Sequence, residues 1–163
     1  MIQVSIASLA VDGRSQPVLI LRPMAEGPSP TKLLPIWIGH QEATAIVLAV
    51  EGTSPPRPLV YDLFARLLAA VDAHVERVEV TRIEEGTFYA EITLATPAGP
   101  RIIDARPSDS VALAVRVDAP IFVAEAVLEE AGIVEPEDQT DEDSEVAEFA
   151  EFLDSVNPED FRG

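Results

Sequence analysis

Four carboxylates in this chain, Glu42, Asp62, Asp104 and Asp109, fall at element junctions or on otherwise apolar elements. Carboxylates that meet in space supply oxygen ligands for Mg²⁺ or Mn²⁺, and such an ion can activate water against a phosphodiester. Arg57 and Arg106 each precede a proline at an expected helix start. A guanidinium there can grip a phosphate or a carboxylate through two parallel hydrogen bonds. The densest gathering is residues 103–123, where an apolar strand carries Asp104 and Arg106, stops at Pro107, and gives way through Ser108-Asp109 to an apolar helix. A strand-to-helix junction of this kind presents free backbone N–H groups and a positive dipole end to an anion.

The same residue types also serve structure. Pro is welcome in the first turn of a helix, and Ser or Asp caps it. Glu42 and Asp109 complement helix N-termini, Asp62 lies four residues from Arg66 on a helix face, and Asp104 can face solvent. Arg106 can form a buried pair with Glu42 or Asp109, stapling two junctions together. Both readings stand until the spatial arrangement is known.

Several chemistries are absent from the sequence. It has no P-loop spacing, no dinucleotide fingerprint and no Gly-x-Ser-x-Gly elbow. With no cysteine, disulfides, thiolate catalysis and Cys-type zinc sites are excluded. His40 and His74 are far apart and lack a metal-ligand spacing. His40 follows Gly39 at a strand-to-helix junction near Glu42, while His74 is expected near a helix C-terminus, where a cation suits the dipole. Phe88 and Tyr89 alternate on a strand, so one is expected in the core and the other outside it, covering the sheet or stacking on a base.

The positioning elements follow from periodicity. Strands are expected at residues 2–12, 17–24, 32–38, 75–83, 87–95, 101–105 and 121–123, with Asp12-Gly13 and Glu85-Gly86 as turns. Residues 40–51 read as a buried helix because little polar surface interrupts them. Pro58 is expected to start a second helix whose Leu59, Leu63, Phe64, Leu67, Leu68 and Val71 share a face. Residues 108–117 and 125–131 are further helices, the latter stopped by Gly132. Strands and helices mix without a regular βαβ rhythm. The expected class is therefore α+β: a twisted mixed or antiparallel sheet packed by helices, one compact domain with an acidic C-terminal tail.

At 163 residues and 47% hydrophobic content, the chain has enough material for one globular core. Its net charge of −18 is uneven: residues 129–163 carry 14 Asp or Glu against Arg162 alone. The expected organisation is a domain over 1–132, an acidic flexible linker over 133–144 and a short amphipathic helix over 145–163, where Val146, Phe149, Phe152, Leu153 and Val156 recur at helical spacing. Such a charge disfavours nucleic acid as a partner, since nucleic-acid binders usually present a basic face. No export signal and no apolar run of about 18 residues is evident, so a cytoplasmic location without membrane contact is expected.

Six segments in order carry a family resemblance: Leu34-Pro35-Ile36-Trp37-Ile38-Gly39; Glu42-Ala43; Pro56-Arg57-Pro58-Leu59 with Asp62-Leu63; Gly86-Thr87-Phe88-Tyr89-Ala90; Ala105-Arg106-Pro107-Ser108-Asp109-Ser110-Val111-Ala112-Leu113-Ala114; and Ala119-Pro120-Ile121-Phe122-Val123. Over about residues 1–132 the chain resembles the bifunctional nuclease domain family, and residues 151–161 are similar to its actinobacterial members. The resemblance implies a compact α+β fold, often dimeric, and nuclease action on DNA and RNA. The family's recurring polar positions fall here on Glu42, Arg57, Asp62, Arg106, Ser108 and Asp109.

On that basis Glu42, Asp62, Asp109 and Arg106 are the expected catalytic set, and Arg57 and Ser108 the expected substrate-binding residues. Mg²⁺ or Mn²⁺ is a candidate cofactor and a homodimer the expected assembly. One departure stands out: many relatives read Arg-Pro-Leu-Thr-His-Asp where this chain has Arg57-Pro58-Leu59-Val60-Tyr61-Asp62. If that threonine and histidine take part in catalysis, this chain is weakened or inactive. The alternative is a non-catalytic dimeric interaction or regulatory module in which the same polar residues knit the fold together.

Overall fold

The computed structural model describes residues 1–25 and 31–135. The tail helix expected over 145–163, and nearly all of the linker, lie outside the described residues. Loosely alternating apolar residues build β1 (Ile2–Val11), and near-continuous apolar runs build β2 (Pro17–Pro23) and β3 (Lys32–Trp37); the three pair antiparallel in sequence order. Two helices follow, α1 (His40–Val50) and α2 (Val60–Ala70), then a long hairpin of β4 (His74–Glu84) and β5 (Thr87–Ala95) with edge strand β6 (Arg101–Ala105). Next come α3 (Pro107–Val117), β7 (Ile121–Val123), α4 (Glu125–Ala131) and β8 (Ile133–Val134).

The strands form one eight-stranded sheet in the order β6-β5-β4-β7-β1-β2-β3-β8. Only β4 and β7 run parallel, so the sheet is mixed and the class is α+β. Glu85 and Gly86 both adopt positive φ, the backbone a two-residue hairpin turn needs. The β1–β2 turn is held by Asp12, whose Oδ1 accepts from Arg14 N at 2.9 Å and Gln16 N at 2.8 Å. Its Oδ2 accepts from Trp37 Nε1 at 3.1 Å.

Period-two alternation sends β2 into two cores. Leu19 and Leu21 join the main cluster beneath the helices, while Val18 and Ile20 meet Leu33 and Trp37 in a second. α3 packs against α1, α2, β4 and β5 and is largely buried. It is the element that places the neighbouring helix starts.

Four expectations are corrected. α1 buries only Ala45 and Ile46, leaving Val47 and Val50 exposed. α2 begins at Val60 rather than Pro58, because Leu59 remains extended as its N-cap. Tyr61, Ala65 and Leu68 supply the packed face of α2, so the stripe of Leu63, Phe64, Leu67 and Val71 stands in solvent. His74 opens β4 instead of closing α2. The short β8, pairing with β3, adds a strand that periodicity did not reveal.

Candidate functional site

Each of the first three helices carries an acid at its third position: Glu42 in α1, Asp62 in α2 and Asp109 in α3. An acid there complements the dipole and can reach back to the N-cap backbone. Asp62 does so, its Oδ2 accepting from Leu59 N at 2.8 Å. Gly39, the N-cap of α1, makes room for Glu42; a Cβ at position 39 would overlap Glu42 Oε2. In α3 the N-cap is Arg106, and its side chain takes over the role of partner.

Arg106 Nε and Nη2 donate to Asp109 Oδ2 and Oδ1 at 2.7 and 3.0 Å, and Nη2 also donates to Glu42 Oε1 at 2.9 Å. Tyr61 OH donates to Asp109 Oδ1 at 2.6 Å. The start of α1 and the second residue of α2 therefore converge on the Arg106–Asp109 pair at the start of α3. The Arg106 side chain is 57% exposed, so the buried staple considered from sequence is corrected: the pairing is open to water. Asp109, then Glu42, holds the guanidinium pKa above its ordinary value. Partial burial, then the bond to Asp109, raises the Tyr61 hydroxyl, keeping it protonated at neutral pH.

The cluster lies in a cleft of about 840 Å³. Asp104 and His40 line it too, and Phe64, Leu68, Leu94 and Ile103 form an apolar wall. Among the described residues no three His, Cys, Asp or Glu side chains stand together as a metal cage. Both oxygens of Asp109 and one of Glu42 are engaged by Arg106 and Tyr61, so the arrangement fits a guanidinium and not Mg²⁺ or Mn²⁺.

The remaining expected residues lie elsewhere. Asp62 Oδ1 accepts from Arg116 Nε at 2.6 Å, so its ion-pair partner is Arg116, not Arg66. Arg116 Nη1 also donates to the Ala45 carbonyl at 2.8 Å, tying α3 to both α1 and α2. Burial would raise the Asp62 carboxyl, but the Leu59 N–H and Arg116 outweigh it and hold the pKa below the usual range. Asp62 and Arg57 line a second cleft of about 410 Å³. Ser108 is buried and lines neither cleft. Sequence reasoning missed Tyr61 as a contact of the cluster; its only signal was that it replaces a histidine of related sequences. Tyr89, considered as a base-stacking residue, already has Arg82 over its ring at 4.1 Å.

Fold and site together define an α+β domain with an acid–guanidinium cleft at converging helix starts. The chain belongs to the bifunctional nuclease domain family, whose model matches residues 19–136. It is 46% identical over 155 residues to "Uncharacterized protein Rv1829" of Mycobacterium tuberculosis (strain ATCC 25618 / H37Rv), covering 91% of this chain and 90% of that one. "Uncharacterized protein MT1877" of strain CDC 1551 / Oshkosh has the same figures, 46% over 155 residues. "Bifunctional nuclease 2" of Oryza sativa subsp. japonica is 30% identical over 127 residues, 74% of this chain and 38% of the rice protein. Among the described residues no helix is long and apolar enough to cross a membrane.

Proposed function

We propose that this protein hydrolyses phosphodiester bonds of DNA and RNA at the Arg106 cleft. The observation that carries the reading is the exposed guanidinium of Arg106, held in a fixed plane by Asp109 and Glu42 at the edge of that cleft. Family membership and the name of the rice relative support it. A phosphodiester approaching Arg106 exchanges with Glu42 for one N–H, and the guanidinium stabilises charge building on the non-bridging oxygens. Released from its partner, Glu42 takes a proton from the attacking water as the new O–P bond forms. The ester P–O bond breaks, and the departing oxygen takes a proton from the Tyr61 hydroxyl; Tyr61 regains one from solvent and Glu42 gives its own up to solvent, which restores both groups. Asp109 keeps both Arg106 and Tyr61 in place.

The test is hydrolysis of single-stranded DNA and RNA by the purified full chain beside Arg106→Ala, Glu42→Ala and Asp109→Ala. Loss in all three is expected; equal activity in all four proteins would overturn the assignment.

A second reading, a non-catalytic dimeric module, is favoured by one observation. Val60, Leu63, Phe64, Leu67 and Val71 form an exposed apolar stripe along α2, with Ile102 and Ile103 of β6 also exposed. A second copy of the chain covering that stripe makes the homodimer that this reading requires.

A further inference from the structure

The second cleft is built differently from the first. Arg57, Arg66 and Arg116 meet there around a single carboxylate, Asp62. Asp62 is already satisfied by Arg116 and by the Leu59 N–H, and its depressed pKa keeps it charged at neutral pH. Neither Arg57 nor Arg66 has an ion-pair or hydrogen-bond partner among the described residues, although Arg66 contributes to the field on Asp62. In a chain of net charge −18, this is a concave patch with three guanidinia and one carboxylate, a surplus of two positive charges.

The wall opposite α2 is Ser54-Pro55-Pro56-Arg57-Pro58. Three prolines fix φ along that wall, so little backbone freedom is lost when Arg57 closes on a ligand. Arg116 cannot swing away, because its side chain is 6% exposed and bonded at both Nε and Nη1. One guanidinium is therefore anchored and two are available.

We infer that this cleft binds a phosphate monoester through Arg57 and Arg66, with Arg116 setting the field beneath it. The charge match selects the class. A phosphate monoester carries about −1.5 to −2 at pH 7 and has three acceptor oxygens for two guanidinium forks. An internal phosphodiester or a carboxylate carries one charge and leaves a guanidinium uncompensated. The ligand is a free mononucleotide or the phosphorylated end of a nucleic-acid strand. The inference extends the nuclease reading, since strand scission creates such ends, but binding here needs no hydrolysis. The two clefts use different faces of α2: Tyr61, Phe64 and Leu68 line the first, and Asp62, Ala65 and Arg66 the second.

Titration calorimetry on the full chain tests it, with adenosine 5′-monophosphate, a 5′-phosphorylated oligonucleotide and the same oligonucleotide without its phosphate as probes. Saturable binding of the mononucleotide or the phosphorylated oligonucleotide is expected, and which of them binds identifies the source. Arg57→Ala and Arg66→Ala, both exposed positions, should each weaken it about tenfold or more. Tyr61→Phe should leave it unchanged while lowering hydrolysis, which separates this site from the first cleft. No saturable binding up to about 10 mM, equal binding of the phosphorylated and unphosphorylated oligonucleotides by Arg106→Ala, in which the first cleft has lost its guanidinium, or wild-type affinity in both arginine variants would overturn the inference. So would loss of binding in Tyr61→Phe.

Discussion

Arg106 grips Asp109, three residues further along the same helix, through Nε and Nη2 at 2.7 and 3.0 Å. The N-cap side chain of α3 thus binds the first-turn acid of its own helix and extends its remaining reach to Glu42 on α1. Lysine keeps the charge but loses the planar fork. Arg106→Lys is expected to abolish most hydrolysis while changing stability by less than about 1 kcal/mol, because the pairs are exposed. Nuclease assays beside thermal melts check this, and a fully active lysine variant would remove the fork from the mechanism.

Tyr61→Phe deletes the 2.6 Å bond to Asp109 without changing ring packing. A stability loss of about 1 kcal/mol is expected, the usual net value of one such bond. Hydrolysis should fall with it, chiefly in kcat, because the hydroxyl serves the departing oxygen. A change confined to KM would assign Tyr61 to binding instead.

Gly39→Ala pushes its new Cβ against the Glu42 carboxylate, a flexible group that can move. The fold should therefore survive, with a stability change below about 1 kcal/mol. Displacing Glu42 from Arg106 should cost up to about 100-fold in hydrolysis. Unaltered kinetics would show that Glu42 does not act from its observed seat.

Arg116→Ala leaves the Asp62 carboxylate and the Ala45 carbonyl without their common partner. The carboxylate left behind is a quarter exposed and keeps its bond from the Leu59 N–H, so the loss is expected at about 1–3 kcal/mol, still the largest of the series in urea titrations. A loss within the noise of a surface substitution would mean that α1, α2 and α3 are held by packing alone.

Acid should expose two carboxylates. Burial raises Asp12, but the Gln16 N–H, Trp37, the Arg14 N–H and the Arg14 charge together hold its pKa low; Asp62 is likewise lowered on balance. Folded values below the unfolded value of about 3.9 mean that their stabilisation is present above that pH. It is lost as pH falls through the folded values. Stability should therefore drop below about pH 4, and the drop should shrink in Asp12→Asn and Asp62→Asn. Identical acid profiles for both variants and the wild type would contradict the assignment.

Most of the sheet was legible because β-strands announce themselves locally. Alternation at Val78 and Val80 and the Glu85-Gly86 turn specify the β4–β5 hairpin without reference to anything distant, whereas the register shift between Val75 and Arg77 that brings Val75 onto the same face was not legible. The junction at Arg106-Pro107 was legible for the same reason. What could not be read was orientation. The stripe of α2 has the spacing of a core face, yet Tyr61 and Leu68 take the inward side because Asp109 and the sheet offer them partners. Asp62 and Glu42 occupy equivalent positions on successive helices, but α3 separates their counter-charges, Arg116 and Arg106, by ten residues, which sends them to different clefts.

The three residues of β7 alone bridge β4 and β1. On one side of that bridge β1 to β3, and on the other β4 to β6, precede it in the chain, while the two-residue β8 at the far edge follows it. A ribosome synthesising this protein therefore releases two half-sheets with unpaired edges before residues 121–123 exist to join them. At about 5–20 residues per second, the first ribbon waits several seconds for its neighbour. Chaperone dependence during translation should accordingly centre on those two temporary edges.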